Sequence, residues 1–379
     1  MNLAQIRKCH NPKIIRKIAS QTPLTVSEAR EYVKTGFELM WNDLRAAIDK
    51  AKPNPENGFD VAIQQCSDSR AFSSDLDLLT EFSIIHGRTA GSVVSDASIF
   101  TLVKKGDFGF IEGHQGCGGV AAAHAYHSGK MDQILTDPKK LDLLLLLEEI
   151  HPSSVLGKDP MANMIRNTLL QRIVAIQRLE IDMGEGKISS VPPIIPFIVR
   201  WDKRNPRAEW IQFEGFTPKS AEPIKKAISD SVKNMFALAV KEGRTFDSQY
   251  AHTVMVYDPR RVIDPRAASG LLPNEVFCAP ADFGGLINGS ITRLPSEVLA
   301  SINYAIGYNG GHVGGVGKGG NKHLMIVDME FGVLESTLHA LMKDPLIRTA
   351  IDNGKNITLA HFRYDIATVE FIDPNIYLG

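Results

Sequence analysis

The stretch "FDVAIQQCSDSR" at residues 59–70 decides the fold class. A short apolar run, typical of a buried strand, ends there in a thiol, a carboxylate and a guanidinium within five residues. A second stretch, "IEGHQGCGGV" at 111–120, leads from another strand pattern through His114 and Cys117 into glycine-rich chain. Because sites in open α/β sheets form at the carboxyl ends of parallel strands, both stretches indicate one site on such a sheet.

The pattern around these stretches is one of strands alternating with helices, which predicts an α/β fold: a mainly parallel sheet flanked by helices. The apolar run at 141–150 is flanked by acids and is too short to span a bilayer, so it predicts a buried helix. The other predicted elements are helices over 25–51, near 95–104 and at 119–128, and strands at 59–65, near 82–86 and at 108–112.

The amino-acid composition restricts the classes of function that the chain can have. The chain of 379 residues is long enough for two domains, and 44% hydrophobic with 22% charged residues is ordinary for a soluble protein. A net charge of −1 favours neither nucleic acid nor an anionic membrane as a partner. Four scattered cysteines are too few for a disulfide framework and indicate a reducing, cytoplasmic compartment. The basic chain before Glu28 is either an organelle-targeting peptide or a basic amphipathic helical arm.

Cys66, His114 and Cys117 supply two thiolates and an imidazole, the donor set that zinc prefers. Three protein ligands leave a fourth position open, as in catalytic zinc sites. Asp68 follows Cys66 by two residues, where it can accept a hydrogen bond from a metal-bound hydroxide, and Arg70 can hold Asp68 ionised. Each feature alone has an ordinary structural explanation, but their types, order and strand-end placement together predict a zinc site.

The motif "CSDSR", followed about fifty residues later by "GHQGCGGV", resembles the zinc-site motifs of the β-class carbonic anhydrases. The intervening "GRTAGSVVSDASI" is similar to that family's loop and following helix, and "RNTLLQRIVAIQRL" and "IPFIVRWDKRNPRAEWIQF" are similar to its late helix and last strand pair. The resemblance covers about 30–216. It implies that the two cysteines and the histidine bind zinc, and that Asp68 and Arg70 form the catalytic dyad.

The second half of the chain parallels the first, segment by segment. "HTVMVYDPRRV" parallels "DVAIQQCSDSR", "NEVFCAPADFGGLI" parallels "TEFSIIHGRTAGSVV", "KHLMIVDMEFGVL" parallels "DFGFIEGHQGCGG", and "AHFRYDIATVEFI" parallels the last strand pair. The counterparts of the three zinc ligands are about Asp258, Glu330 and Val333, and a valine cannot bind zinc. We therefore predict two tandem β-carbonic-anhydrase-like domains, 1–216 with one zinc ion and 217–379 without zinc ligands.

In β-class enzymes, the neighbouring subunit of a dimer completes a small apolar pocket beside the zinc with a Gln, a Phe and a Tyr. The resemblance places these residues in the second half, at Gln249, Phe277 and Tyr304, whereas Thr101 stands at the matching place of the tyrosine in the first half. The resemblance also assigns Gly118 to this pocket. The expected architecture is an internal pseudo-dimer with one working site, and further association into a homo-oligomer stays open.

The activity that the resemblance implies is reversible hydration of carbon dioxide to bicarbonate and a proton, with these small molecules as the partners. Two alternatives use the same residues: hydrolysis of carbon disulfide or carbonyl sulfide, and a non-catalytic zinc module for assembly. The Asp68–Arg70 pair favours an enzyme, because a structural zinc site needs four protein ligands and no such pair. The glycine-rich stretch 307–323 lacks the spacing of a phosphate-binding loop and is interpreted as an inserted loop.

Overall fold

The computed structural model contains a first sheet whose strands are β1 Phe59–Cys66, β2 Ile84–Thr89, β3 Val103–His114, β4 Ile194–Arg200 and β5 Arg207–Trp210. Their order is β2-β1-β3-β4-β5, and only β5 runs antiparallel to its described neighbour. The residues that the structure describes are 11–20, 22–28, 31, 59–66, 84–94, 100, 103–131, 147–148, 150–202, 204–212, 221–241, 253–257, 276–280, 322–327, 357–363 and 368–372.

A long helix covers one face of this sheet. The helices whose bounds lie within the described residues are α1 Pro12–Ala19, α2 Gly118–His127, α3 Pro152–Val155, α4 Pro160–Gly184 and α5 Glu222–Lys241. Asp159 begins α4 by accepting a hydrogen bond from the Met161 amide at 2.9 Å, with Pro160 at the first helical position. Ala175 of α4 is fully buried in one cluster with Ala62 of β1, so this helix closes the face on which Ala62 lies.

Helix α5 covers the opposite face, although it comes from the chain beyond residue 216. Its Ile228 is fully buried in one cluster with Ile63 and Phe110 of the sheet. Successive strand side chains point to opposite faces, which is why Ile63 faces α5 while its neighbour Ala62 faces α4. The boundary between 216 and 217 stays a prediction, but the first described helix beyond it packs on the first sheet.

The second sheet has the same strand order as the first. Its strands are β6 Thr253–Tyr257, β7 Val276–Pro280, β8 Lys322–Val327, β9 Ile357–Arg363 and β10 Thr368–Ile372. They lie in the order β7-β6-β8-β9-β10, with β10 antiparallel to β9 and the other pairs parallel. The register agrees as well: Val61 stands opposite Ile84 and Thr253 stands opposite Val276, so the step along the chain between paired residues is the same in both sheets.

The two halves differ in the chain between their third and fourth strands. Gly109 pairs with Ile194 in the first sheet, whereas His323 pairs with Thr358 in the second, which is a much shorter step along the chain. In the first half this interval contains α2, α3 and α4. The second half is thus shortened at the place where the first half builds the helices around its candidate site.

The predicted strands of the first half are confirmed with shifted ends. Strand β1 is one residue longer than predicted, and β2 starts two residues later, at Ile84. Strand β3 extends back to Val103, so the helix predicted near 95–104 is wrong at its C-terminal end. The register between β1 and β3 shifts between Phe59 and Val61, and β3 pairs with β1 on both sides of this shift. The pairing before the shift accounts for the extra residues at the start of β3. The helix predicted at 119–128 is confirmed as α2.

The predicted helices at 25–51 and 141–150 lie largely outside the described residues. Residues 26–28 are helical, and they begin at a capping box: Thr25 Oγ1 accepts from the Glu28 amide at 3.2 Å, and Glu28 Oε2 accepts from the Thr25 amide at 2.8 Å. Within 141–150, Leu147 is helical and fully buried. No helix among the described segments is long and apolar enough to cross a membrane.

Candidate metal centre

Three potential metal ligands meet at the carboxyl end of the first sheet. Cys66 is the last residue of β1 and His114 the last of β3, and these strands are parallel neighbours. Cys117 follows after a two-residue turn, directly before α2. One ligand atom from each residue lies within 4.8 Å of the others, and the two Sγ atoms are 3.7 Å apart. All three residues are buried, so the group can hold a metal ion away from bulk water.

The turn between His114 and Cys117 depends on one glycine. Gly116 has φ of 74°, in the left-handed region that a residue with a Cβ enters only at a cost. Cys117 then has φ −61° and ψ 118°, the extended conformation of an N-cap, and its carbonyl accepts the Ala121 amide at 3.1 Å. The Cys117 thiol therefore lies at a helix N-terminus, where the helix dipole favours a thiolate.

The orientation of His114 is set by its own backbone neighbour. Its Nδ1 lies 3.1 Å from the Gln115 carbonyl oxygen. A carbonyl can only accept, so Nδ1 carries the proton and Nε2 keeps the lone pair that a metal ion needs. The side chain is fully buried, which holds the ring in this orientation.

The loop after β2 lies over Cys66 and supplies a hydrogen bond that the sequence did not indicate. The Gly91 amide donates to Cys66 Sγ at 3.4 Å, and Gly91 itself has φ of 75°. Asn167 of α4 donates through Nδ2 to the Gly91 carbonyl at 2.8 Å. Gln171, one turn further along α4, accepts the Val94 amide at 2.8 Å. Helix α4 thus holds the loop that places an N–H on the sulfur.

Burial raises the pKa of the Cys66 thiol well above its ordinary value, and the neighbouring Cys117 thiol adds to the shift. Two neutral thiols gain little from lying next to each other and to an imidazole in a buried place. The same two sulfur atoms and imidazole nitrogen are, however, the donor set that zinc prefers. The residues present therefore fit a zinc ion with three protein ligands, which leaves one coordination position for another group.

A buried polar pair lies beside the ligands and was missed in the sequence. Gln65 Nε2 donates to Glu112 Oε2 at 2.6 Å, and both side chains are fully buried. Gln65 adjoins Cys66, and Glu112 lies two residues before His114, so the pair ties the two ligand-bearing strand ends together. Its signal was present: each is a long polar residue that closely follows an apolar run of its strand, "VAI" in β1 and "FI" in β3.

The other predicted site residues lie mostly outside the described part of the chain. That is so for the dyad Asp68 and Arg70, for Gln249 and Tyr304 of the predicted pocket, and for Glu330 and Val333. Phe277 is in β7, paired with Val254 of β6. Gly118 is the first residue of α2, next to Cys117.

Comparison with known proteins gives a distant structural likeness. No protein-family model matches the chain, and no curated protein matches it. Seven chains of solved structures match, among them "The structure of the beta-carbonic anhydrase CcaA", with a TM-score of 0.28 and 17% identity. That match covers 41% of this chain and 84% of the other. A likeness at this level assigns neither family nor activity, so the function proposed for the chain rests on its own site residues.

Proposed function

We propose that this protein is a zinc-dependent carbonic anhydrase that interconverts carbon dioxide and bicarbonate. The convergence of Cys66 with His114 and Cys117 within 4.8 Å, from two separate parts of the chain, is the observation that carries the proposal. Two thiolates and one imidazole select zinc, and a set of three protein ligands is that of a catalytic site. When bound, zinc would act as a Lewis acid that lowers the pKa of a water molecule to near neutrality.

The residues of the chain have separate tasks in this reaction. His114, with its proton fixed on Nδ1, offers Nε2 to the ion, and the Gly91 N–H stabilises negative charge on Cys66. Asp68, held ionised by Arg70, can only accept a hydrogen bond, so it would accept one from the O–H of the attacking oxygen and thereby direct a lone pair of that oxygen at carbon dioxide. An apolar pocket holds the uncharged substrate in line with that oxygen.

The second half is proposed to be a diverged copy of the first, packed against it as an internal pseudo-dimer. The shared strand order and the equal step along the chain between paired first strands support a common origin. Strands β2 and β7, the matching edges of the two sheets, approach within 8 Å between Cα atoms, which agrees with packing edge to edge. Glu330 and Val333 at the positions of two ligands limit zinc to one ion per chain, and Gln249, Phe277 and Tyr304 complete the pocket.

The decisive experiment removes the charge of Asp68 without removing the metal. The variant Asp68→Asn should keep one zinc ion and lose most carbon dioxide hydration in stopped flow at neutral pH, because an amide also donates and no longer fixes one orientation. Asp159→Asn is the matched control, since asparagine caps a helix as well as aspartate does, and it should keep full activity.

Two results would count against this function. Wild-type protein with one zinc ion and no hydration activity would indicate a non-catalytic zinc module. Efficient hydrolysis of carbonyl sulfide or carbon disulfide by a protein inactive towards carbon dioxide would assign the same site to the other substrates. Zinc content measured on the same samples separates both results from simple loss of metal.

A further inference from the structure

An arginine-rich pocket opens at the turn between β4 and β5, apart from the three candidate metal ligands. It has a volume of about 480 Å³ and is lined by Gln115, Arg200, Trp201, Asp202, Arg204 and Arg207. The turn is ordered by Asp202, whose Oδ1 accepts the Arg204 amide at 2.9 Å and whose carbonyl accepts the Asn205 amide at 3.0 Å. Three guanidinium groups therefore border one cavity at fixed places along a short hairpin.

The negative charge of the carboxylates around this pocket does not neutralise the positive charge of its arginines. Glu209 binds Arg200 through two hydrogen bonds of 2.8 and 3.2 Å, and the same carboxylate also serves Arg207, at 3.6 Å. One carboxylate oxygen of Asp202 already accepts a hydrogen bond from the backbone of the turn. Within the part of the chain that the structure describes, the Arg204 guanidinium has neither an ion pair nor a hydrogen bond, so the pocket has an excess of positive charge.

One wall of the pocket is aromatic and rigid. Trp201 stacks on Phe236 of α5, with ring centroids 6.3 Å apart and an interplanar angle of 16°. Its backbone amide donates to Gln115 Oε1 at 3.2 Å, and the Gln115 amide donates to the Val199 carbonyl at 3.0 Å. An apolar wall on one side of a cationic pocket lowers the local dielectric and strengthens attraction to an anion.

We propose that this pocket binds a small oxyanion with at least two oxygens on one centre, of the carboxylate or phosphate type. The planar fork of arginine matches two such oxygens at once, which a single chloride ion cannot exploit. The site adjoins the candidate metal centre through Gln115, whose carbonyl also fixes His114. It stands on its own residues and does not rest on the proposed carbon dioxide chemistry.

The test is anion titration of the full chain by calorimetry at constant pH and ionic strength, with chloride as the balancing salt. Inorganic phosphate is the probe, and its saturable binding at one site per chain is the expected result. Arg204→Ala should weaken binding at least about tenfold, because it removes a charge-assisted contact from an exposed turn. Arg207→Ala is the second variant and should also weaken it.

The matched control is Lys187→Ala, which removes one positive charge from the chain before β4, where Lys187 pairs with Glu185 at 3.0 Å. It should leave the dissociation constant unchanged. Binding that is equal in wild type, Arg204→Ala and Arg207→Ala overturns the proposal, as does an equal loss in Lys187→Ala, which would mean attraction by general charge. Because no step measures hydration, failure of the proposed enzyme activity leaves this result unaffected.

Discussion

At the scale of single residues, the chemistry of the site depends on the burial of Cys66. Burial raises the pKa of its thiol, so without metal this cysteine holds its proton at neutral pH. Zinc binds the thiolate, and it must therefore displace that proton. We expect zinc uptake to release protons and zinc affinity to fall as pH falls, because acid favours the thiol form with which the metal competes.

The first prediction concerns the ligand set. Cys117→Ser should lower zinc content from one ion per chain to nearly none, because a serine hydroxyl is a poor ligand beside one thiolate and one imidazole. Cys9→Ser, outside the predicted ligand set, is the control and should keep its zinc. The measurement is metal analysis of purified protein. Two zinc ions per chain in the wild type would contradict the predicted loss of ligands at Glu330 and Val333.

At the scale of elements, α4 is more than a cover for the sheet. Its buried face carries two amide side chains, Asn167 and Gln171, which hold the loop of Gly91 and Val94 over Cys66. An apolar helix face would bury more hydrocarbon, but it would leave the Gly91 carbonyl and the Val94 amide buried without these partners. The polar positions on α4 thus position the N–H that reaches the Cys66 sulfur.

The second prediction tests this support. Asn167→Ala should lower zinc affinity by about tenfold, the low end of the effect of losing a partner of a metal ligand, because Asn167 acts on Cys66 through Gly91. Gln177→Ala, exposed on the same helix, is the control. Competition with a zinc chelator measures the affinity. An unchanged zinc affinity in a folded Asn167→Ala protein would show that the loop keeps its place without α4.

At the scale of the whole molecule, the two sheets are joined by a helix that packs on the first of them. Ile228 and Val232 of α5 are fully buried against the first sheet, and Lys225 lies 5.2 Å from the Trp210 ring centre. The segment after residue 216 is therefore part of the packing of the first sheet. Its loss would expose that face to water.

The third prediction follows from this packing. Ile228→Ala should lower the free energy of unfolding of the first half by about 2–5 kcal/mol, as for other large-to-small changes in a core. Lys226→Ala is the control, because its side chain is 79% exposed and its pair with Asp230 adds little. Urea unfolding followed by tryptophan fluorescence reports the change, since Trp201 and Trp210 adjoin α5. An unaltered transition would place the stability of the first sheet elsewhere.

The fourth prediction concerns the proposed pocket. Tyr304→Ala and Phe277→Ala should lower hydration activity while leaving zinc content intact, because substrate positioning is lost and the metal is not. Activity per chain should also stay constant on dilution, since the proposed arrangement places both parts of the site in one chain. Activity that falls with dilution would mean that a second copy of the chain completes the pocket. Unchanged activity in both variants would mean that the second half has only a structural role.

Much of the first half could be predicted from the sequence, because its signals are local. Alternation of apolar residues located β1, β2 and β3 within a few residues, and the polar run after each strand marked the site. The residue types Cys66, His114 and Cys117 restricted the chemistry to a soft metal, since ligand preference is a property of the side chain. The parallel order of segments in the second half likewise anticipated where strands β6 to β10 would lie.

Only the tertiary structure decided how these parts meet. Distances such as the 3.7 Å between two sulfurs depend on the pairing of strands that lie far apart in the chain. The Gly91 N–H on Cys66 and the Gln65–Glu112 pair arise from residues that carry no motif, because any buried polar group needs some partner and the sequence does not say which. The packing of α5 on the first sheet was missed because no helix was predicted over 222–241. Even a recognised amphipathic helix would not show which surface its apolar face covers, because that depends on the fold.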